Sequence, residues 1–195
     1  KELIENAIDA LSKNITIQIE NGGHKKITVI DDGHGMNKLD LKNSFQRFAT
    51  SKISSKNDLF NISTLGFRGE ALPSIASVSK IKIASKYKKE IGNELILESG
   101  KIISEKPSNI SKGTKIEINN LFYNVPARKK FLKKENYEYR SILKVFKVFA
   151  LSNSKISFIL YHNNKCIYNI DASDLYTRIL DIQGNNYNGN ILDVN

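Results

Sequence analysis

The 195-residue chain contains 40% apolar and 26% charged residues, a balance typical of globular domains, and it has no apolar run near the roughly 18 residues of a membrane-spanning helix. Its formal charge of +10 suits a partner made of phosphates, such as a nucleic acid, although a solvated lysine surface has the same composition. The single cysteine, Cys166, excludes an internal disulfide and the three histidines are scattered, so we expect a reducing compartment, cytoplasmic or nuclear.

The first 35 residues predict a helix, a β-hairpin and a glycine loop. Residues 1–10 carry apolar side chains at helical spacing, and the chain then changes to the alternation of a strand over 15–20. Gly22 and Gly23 predict the turn into a return strand over 27–30. That strand leads into Asp31-Asp32-Gly33-His34-Gly35, whose two glycines indicate unusual backbone angles.

The middle of the chain predicts short elements around one long loop. A short helix is expected over 39–48, and residues 49–67 are rich in Ser, Asn, Lys and Gly with little periodicity, which predicts a long mobile segment. Residues 70–78 suit another helix, with Pro73 in its first turn. Alternating apolar residues then predict strands over 81–84, 94–98 and 114–118.

The last third predicts a long helix and a closing hairpin. Apolar residues at helical spacing predict a helix with a buried stripe over 137–151. Two strands, 155–161 and 165–170, meet at Asn163-Asn164, a pair typical of a tight hairpin turn. The mixture of helices and hairpins predicts an α+β fold, a two-layer α/β sandwich with helices on one face of a largely antiparallel sheet.

We expect a domain boundary near residue 170 inside a longer polypeptide. Residues 1–170 form the first domain in this interpretation. Residues 171–195 are predicted to be a linker and the beginning of a second domain, with a helix near 175–182 and a strand from about residue 190.

The first helix places four acid and amide side chains within one arc of about 100°. They are Glu2, Glu5, Asn6 and Asp9. No lysine or arginine interrupts this arc, whereas an exposed helix face normally mixes charge signs. The arrangement suits a site in which the Asn6 oxygen binds a hard cation such as Mg²⁺ and a carboxylate one turn away deprotonates a water; a plain acidic surface is the alternative.

Glycine-containing segments supply groups that suit a nucleotide, although the chain has no P-loop sequence. Asp31, at the end of a strand, is placed to accept a hydrogen bond from an amino group such as that of adenine, and Gly33 and Gly35 let the backbone approach a flat base. A plain turn explains the same pattern in most proteins. Thr114, which follows Gly113 at the head of a strand, offers one hydroxyl, with an ordinary turn as the alternative.

Residues 65–72, with the sequence LGFRGEAL, join a glycine-rich loop to the start of a helix. Unpaired backbone N–H groups at such a junction attract phosphate, so a triphosphate is expected there. Lys52 adds a cation to the same phosphates, unless it is simply solvated.

Glu2 with Asn6, the DDGHG run, the GFRGEAL run and Gly113-Thr114 occur together in an order that resembles the GHKL ATPases, which share a Bergerat-type nucleotide fold. Three stretches are similar to the MutL family of DNA mismatch repair proteins: ATSKI at 49–53, LGFRGEAL at 65–72 and LFYNVPARKKFL at 121–132. The resemblance extends to about residue 170. Phe48 and Val125 depart from the family pattern, which commonly has His and Thr there.

The resemblance implies a domain that binds and hydrolyses ATP with Mg²⁺. Glu2 would be the general base, Asn6 the Mg²⁺ ligand, and Asp31 with Thr114 would recognise adenine. Glu70 is a rival base on chemistry alone, but its place at a helix start favours loop anchoring. Residues 52–72 would form a lid over the phosphates. The nucleotide-binding residues would be Asn6, Asp31, Gly33, Gly35, Thr50, Ser51, Lys52, Gly66, Phe67, Arg68, Gly69, Glu70, Ala71, Leu72 and Thr114.

The resemblance also implies partners. In the family, ATP binding orders the lid and closes a dimer of these domains, homo- or heteromeric, into a clamp on DNA that signals to a MutS-type mismatch sensor and to nuclease and helicase partners; no membrane is expected. The second domain is expected to resemble a ribosomal-protein fold. An N-terminal arm and a lysine that reaches the terminal phosphate are expected outside residues 1–195, so this part of the chain is expected to bind ATP yet turn it over poorly.

Two other functions fit parts of the pattern. A nucleotide-free DNA-binding or scaffold domain would use a basic surface formed by Arg128, Lys129, Lys130, Lys133 and Lys134. A topoisomerase-type ATPase would share the nucleotide site, but the LFYNVPARKKFL run argues against it.

Overall fold

The structure is a computed structural model that describes residues 1–46 and 70–184. The strands in these ranges are β1 (Asn14–Glu20), β2 (Lys26–Asp31), β3 (Lys80–Lys86), β4 (Gly92–Glu98), β5 (Lys101–Ser108), β6 (Gly113–Asn119), β7 (Ser157–His162) and β8 (Lys165–Ile170). The helices are α1 (Glu2–Asp9), α2 (Lys38–Asn43), α3 (Ala71–Ser77), α4 (Pro126–Lys129), α5 (Glu135–Ser152) and α6 (Leu175–Gln183). The mixed α/β class predicted from the sequence is confirmed.

One sheet contains all the described strands, in the order β5-β4-β3-β6-β2-β1-β7-β8. Every neighbouring pair is antiparallel except β1 with β7, which is parallel. The predicted largely antiparallel sheet is therefore confirmed. The pairing places β2, β6 and β3 side by side, so that residues far apart in sequence share the middle of the sheet.

The core lies between one face of the sheet and the helices. Ile15, Ile17 and Ile19 of β1 alternate with polar residues and are buried on this face. Phe146 and Ala150 of α5 pack into the same buried cluster, as the helical spacing over 137–151 predicts. The cluster also includes residues of the other packed helices: Ile4, Ala7, Leu41, Ala76 and Ile182. The helices cover this face of the sheet. A site that is open to a ligand therefore has to lie where the strands end.

Three elements differ from the sequence prediction by more than the one or two residues by which other boundaries shift. α2 ends at Asn43, so the predicted helix over 39–48 is shorter, and its last residues lie outside the described part of the chain. β5 was not predicted, because it is an edge strand whose burial does not alternate clearly and which contains Pro107. α4 is only one turn long and carries no buried side chain, which leaves no periodic pattern to detect.

The segment after residue 170 packs against the sandwich. α6 is present as predicted, and its Arg178 is fully buried. The Arg178 guanidinium donates hydrogen bonds to backbone carbonyls at and beyond the end of α5, namely those of Ala150, Asn153, Ser154, Ile156 and Asp171. A domain boundary near residue 170 stays a prediction, and the strand predicted from residue 190 lies outside the described residues. None of the described helices is long and apolar enough to cross a bilayer.

Candidate functional site

α1 divides its acid and amide residues between the interior and the surface. Glu5 is buried, and its Oε1 lies 2.9 Å from Nζ of Lys1. Glu2 keeps 48% of its side chain exposed and lies 3.5 Å from the same Nζ, while Asn6 and Asp9 are half-buried. Of the two carboxylates in the first turn, Glu2 is thus the one accessible from outside, which fits the role that the sequence predicts for it.

Asp31 ends β2 in a buried position, 8% exposed. Its Oδ1 accepts hydrogen bonds from the Gly33 N–H at 2.9 Å and from the Ser12 hydroxyl at 3.2 Å. Burial raises the pKa of the Asp31 carboxyl above its ordinary value of 3.8, although the hydrogen bonds from Gly33 and Ser12 act in the opposite direction. A buried carboxylate held in place by backbone and hydroxyl donors is a pre-positioned hydrogen-bond acceptor.

Asp31, Thr114 and Ser85 form one polar row across three neighbouring strands. Asp31 of β2 is paired with Thr114 of β6, and Thr114 is paired with Ser85 of β3. The Ser85 and Thr114 hydroxyl oxygens lie 2.8 Å apart. Away from this row, the same face of each strand is apolar, as Ile81 and Ile83 show for β3. The row therefore marks the place where the hydrophobic core ends and a polar site can begin.

Gly33 and Gly35 allow the loop after β2 to approach two other backbone segments closely. A Cβ on Gly33 would lie 2.6 Å from the Ala10 carbonyl oxygen, and the next residue, His34, donates its N–H to that oxygen at 2.9 Å. Gly35 has φ +67°, and a Cβ there would lie 2.0 Å from the Lys86 carbonyl oxygen. The glycines thus pack the loop against α1 on one side and β3 on the other, and the close approach of a flat base stays a prediction.

Asp32, whose role no sequence motif indicates, fixes the other side of this loop. Its Oδ1 accepts hydrogen bonds from the N–H groups of Lys13 at 2.7 Å and Asn14 at 2.9 Å, and its Oδ2 accepts from Asn14 Nδ2 at 2.8 Å. Partial burial opposes ionisation of Asp32, but the hydrogen bonds from Asn14 and Lys13 outweigh it and lower the pKa of the carboxyl. The two adjacent aspartates therefore differ: Asp32 is a charged structural anchor, and Asp31 is the buried acceptor.

α3 begins at Ala71, with exposed Glu70 as its preceding residue and Leu72 in its first turn. Its C-terminal end is held by the 121–132 run that carries the family resemblance. Phe122 donates its N–H to the Val78 carbonyl at 2.7 Å, and Asn124 Nδ2 donates to the Ser77 carbonyl at 2.9 Å. The remaining predicted phosphate and lid residues lie outside the described part of the chain: Thr50, Ser51, Lys52, Gly66, Phe67, Arg68 and Gly69.

The site contains two hydroxyls that sequence reasoning missed, those of Ser12 and Ser85. Ser85 had a detectable signal, because it is a polar residue at the next inward position after Ile81 and Ile83 of one strand. Ser12 had none, since it lies in the irregular connection between α1 and β1. Its contact with Asp31 arises only when the helix and β2 come together in the fold.

The residues present fit a nucleotide-bound Mg²⁺. Within residues 1–46 and 70–184, no group of three or more His, Cys, Asp and Glu side chains forms a self-sufficient metal site. Mg²⁺ does not need one, since one or two protein oxygens together with phosphates and water complete its octahedral shell. The carboxamide of Asn6, half-buried one turn from Glu2, is a donor of the required kind.

Comparisons with known proteins identify the family. Residues 1–130 match the family described as histidine kinase-, DNA gyrase B- and HSP90-like ATPase. The chain is 49% identical over 194 residues to the DNA mismatch repair protein MutL of Clostridium beijerinckii, covering 98% of the chain and 29% of that protein. It is 43% identical to the MutL of Parabacteroides distasonis, covering 100% of the chain and 32% of that protein.

Solved structures give the same result. The Aquifex aeolicus MutL ATPase domain complexed with ADP is similar with a TM-score of 0.75 and 31% identity, over 94% of this chain and 66% of that one. An N-terminal domain of a DNA repair protein is similar with a TM-score of 0.80 and 26% identity, over 96% of this chain and 56% of that one. The chain spans about a third of the length of the curated relatives given above.

Proposed function

Since the chain belongs to the family of histidine kinase-, DNA gyrase B- and HSP90-like ATPases, and within it to the MutL type, we propose that it binds Mg-ATP beside α1 and the loop after β2 and hydrolyses it slowly. The observation that carries the proposal is the buried carboxylate of Asp31. It is joined by Ser12 to the residues after α1 and paired across the sheet with Thr114. The Asp31 carboxylate thereby links two parts of the proposed site. One is α1, which carries the predicted catalytic residues, and the other is β6, which carries the Thr114 hydroxyl predicted to bind adenine.

The adenine end of the site would use Asp31 and Thr114. Adenine presents a 6-amino donor beside its N1 acceptor, and this edge needs one acceptor and one donor from the protein. The Asp31 carboxylate supplies the acceptor and the Thr114 hydroxyl supplies the donor. Because the two residues are directly paired on adjacent strands, their side chains are spaced to meet one base edge.

The phosphate end would use Asn6 and Glu2 of α1. The Asn6 oxygen would hold the Mg²⁺, which when bound neutralises charge on the phosphates. Glu2, accessible on the same helix, would take a proton from the attacking water as general base, a role that typically contributes about 10²- to 10⁴-fold in rate. The 65–72 loop and Lys52 would contact the phosphates as the sequence predicts, with residues 52–72 closing over them.

For the whole protein we propose a role in DNA mismatch repair, in which ATP binding closes a dimer of these domains. The relatives bear that name, and this chain covers 29% and 32% of two of them. DNA, a MutS-type sensor, and nuclease and helicase partners are part of this proposal, as is a second domain that begins after residue 170.

A second candidate function, direct DNA contact, is supported by one observation. Five exposed basic side chains surround the short helix α4: Arg128, Lys129, Lys130, Lys133 and Lys134. Such a cluster suits a phosphate backbone and predicts binding that weakens steeply with salt. It is compatible with the ATPase function, because none of these five side chains is among the residues proposed to bind the nucleotide.

The test is a calorimetric titration of the full-length protein with a non-hydrolysable ATP analogue, with Mg²⁺ and with EDTA. We expect saturable binding that Mg²⁺ strengthens, together with slower hydrogen exchange over residues 51–67. Absence of binding heat, combined with salt-dependent DNA binding, would favour the nucleotide-free DNA-binding domain instead.

A further inference from the structure

The basic cluster around α4 contains an exposed aromatic ring. Phe131 is 85% exposed, although phenylalanine is among the residue types most often buried in proteins. Hydrogen bonds order the turn that carries it, since the Phe131 N–H donates to the Arg128 carbonyl at 3.1 Å and the Lys133 N–H donates to Glu138 Oε1 at 2.9 Å. The ring is therefore held outside the core by a folded turn, with basic residues before and after it in the chain.

The exposed stripe of α5 continues this surface. It begins at Tyr137, which is 58% exposed and donates its N–H to the carbonyl of Lys134 in the basic cluster at 2.8 Å. Exposed residues then recur every three or four positions along the helix: Arg140, Ser141, Lys144 and Val148. An exposed helix face normally mixes charge signs, but each charged residue of this stripe is basic. The five basic residues around α4, Phe131 and this stripe together form the α4–α5 surface.

The two acids in the first turn of α5 are engaged by other parts of the protein. Glu138 accepts the hydrogen bond from the Lys133 N–H. Glu135 Oε1 accepts from Asn163 Nδ2 at 3.5 Å, in the turn between β7 and β8, and lies 3.8 Å from His162 Nε2. Within the described ranges, neither carboxylate forms a salt bridge with a lysine or an arginine. The positive charge of the α4–α5 surface is therefore available to an external partner.

We propose that the α4–α5 surface binds a single strand of DNA, with Phe131 and Tyr137 stacking on unpaired bases. The inference rests on the second candidate function, because it assumes that the basic cluster contacts DNA. Lysine and arginine neutralise the phosphates of a duplex and of a single strand alike, so charge alone does not choose between them. The two rings do choose, because only an unpaired strand can turn its bases onto an aromatic side chain.

This arrangement makes binding tolerant of sequence. Every base has a π-face, so stacking on Phe131 or Tyr137 does not depend on which base is present. The phosphate contacts of the surrounding lysines carry no sequence information either. The turn that holds Phe131 is already formed, so binding does not have to order it first.

The experiment measures binding of labelled DNA to the full-length protein by fluorescence anisotropy, without nucleotide. Three probes of equal length are compared: a thymine single strand, an abasic single strand that keeps the phosphates but lacks the bases, and a duplex. We expect Phe131→Ala to bind the thymine strand about tenfold more weakly, within the range for one stacked base, and the other two probes within about twofold of wild type. Phe131→Leu, which is apolar but has no ring, is expected to lose as much, and Phe131→Trp is expected to keep the wild-type affinity.

Two further variants separate stacking from charge. Ile91→Ala is the matched control, because Ile91 is 74% exposed just before β4 and is not part of the α4–α5 surface, and it is expected to bind all three probes as wild type does. Lys129→Ala combined with Lys130→Ala is expected to weaken binding of all three probes. For single strands it should also lower the salt dependence by about 0.7 per lost phosphate contact.

A Phe131→Ala protein that binds the thymine strand normally, or that loses affinity equally for the abasic strand, would overturn the inference and leave only backbone contacts. Poly-glutamate that competes as well as the thymine strand at equal charge would assign the surface to an acidic protein instead. If the double lysine variant binds all three probes normally, the basic cluster does not contact DNA, and the second candidate function fails as well.

Discussion

Oδ1 of Asp31 lies 3.2 Å from Oγ of Ser12, and this contact joins the end of β2 to the residues that follow α1. The Ser12 hydroxyl also donates to the Ala7 carbonyl at 2.6 Å, within the helix itself. Since a hydroxyl has one proton, the nearer Ala7 oxygen competes for it, and Asp31 receives a weak contact on this side. The carboxylate predicted to bind adenine is thus buried without full compensation of its charge.

Asp31→Asn tests this balance between stability and binding. Burial raises the pKa of Asp31, so the folded protein holds that proton more tightly than the unfolded chain does. The charged carboxylate therefore lowers the free energy of unfolding at neutral pH, and this cost disappears as pH falls through the raised pKa toward 3.8. We expect the nucleotide-free variant to be more stable than wild type at neutral pH, with a difference that shrinks in acid, as measured by urea denaturation.

The same variant is expected to bind ATP roughly 10- to 100-fold more weakly, the range for a hydrogen bond to a charged group. An amide keeps an oxygen for Gly33, but offers an N–H where adenine needs an acceptor. A variant that is less stable at neutral pH, or that binds ATP normally, would contradict the assignment of Asp31.

Glu2→Gln tests the general base. The glutamine cannot take a proton from water, so we expect single-turnover hydrolysis by the full-length protein to fall by about 10²- to 10⁴-fold while ATP affinity stays within about twofold. Glu5→Gln is the matched control on the same helix. Glu5 is buried against Lys1, so its replacement is expected to lower stability and leave the rate of chemistry unchanged. Equal rates in wild type and Glu2→Gln would remove Glu2 from its role.

Asn6→Ala tests the magnesium ligand. Without the carboxamide oxygen, we expect affinity for Mg-ATP to fall roughly tenfold or more, the scale on which even indirect metal partners act. Affinity for ATP measured in EDTA provides the internal control and is expected to change little. A loss that is equal with and without Mg²⁺ would assign Asn6 to the nucleotide or to packing instead.

Local features of the fold could be predicted from sequence, and long-range pairings could not. The β7–β8 hairpin was predicted from Asn163-Asn164, and both residues have the positive φ, 49° and 66°, that a tight two-residue turn requires. The parallel pairing of β1 with β7 has no such signal, because the strands lie far apart in the chain. The edge strand β5 was missed because half-exposed residues show no alternation.

The candidate site follows the same rule. Asp31 and Thr114 were singled out from their own short motifs, and the structure pairs them on adjacent strands. Ser12 contributes only through a contact made in three dimensions, at 3.2 Å to Asp31. Ser85 is marked in the sequence only as a polar residue in line with Ile81 and Ile83, and its 2.8 Å contact with Thr114 also depends on the fold. Groups that position a functional residue are therefore harder to predict than the residue itself, since their own sequence context is ordinary.

Gly35→Ala tests the close contact between the glycine loop and β3. Gly35 and Gly100 both have a left-handed backbone, with φ of +67° and +79°. A Cβ on Gly35 would lie 2.0 Å from the Lys86 carbonyl oxygen, whereas on Gly100 the nearest atom is 3.7 Å away. Both substitutions cost about 1 kcal/mol in backbone strain, and we expect Gly35→Ala to cost about 2 kcal/mol more because the backbone must move. If urea denaturation gives the same loss in the free energy of unfolding for Gly35→Ala and Gly100→Ala, the loop moves away from Lys86 at little cost.

Arg178→Met tests how the segment after residue 170 is attached. The buried guanidinium donates to carbonyls of α5 and of the residues that follow it, groups that have no helical partner at a helix end. Methionine fills similar space but leaves these acceptors without a donor, so we expect a loss of about 3 kcal/mol or more in the free energy of unfolding. Arg140→Met, the same substitution at an exposed position of α5, is the control and is expected to stay within about 0.5 kcal/mol.

Removal of residues 171–195 extends this test to the proposed domain boundary. If Arg178 holds α6 against the sandwich, the shortened protein leaves the carbonyls of Ser154 and Ile156 without this donor and is destabilised by a similar amount, about 3 kcal/mol. A shortened protein as stable as the parent would place the boundary cleanly at residue 170 and make the Arg178 contacts dispensable. Phe146 and Ala150 of α5 pack in the core against the sheet, so increased mobility at the C-terminal end of α5 would also weaken the packing of this core.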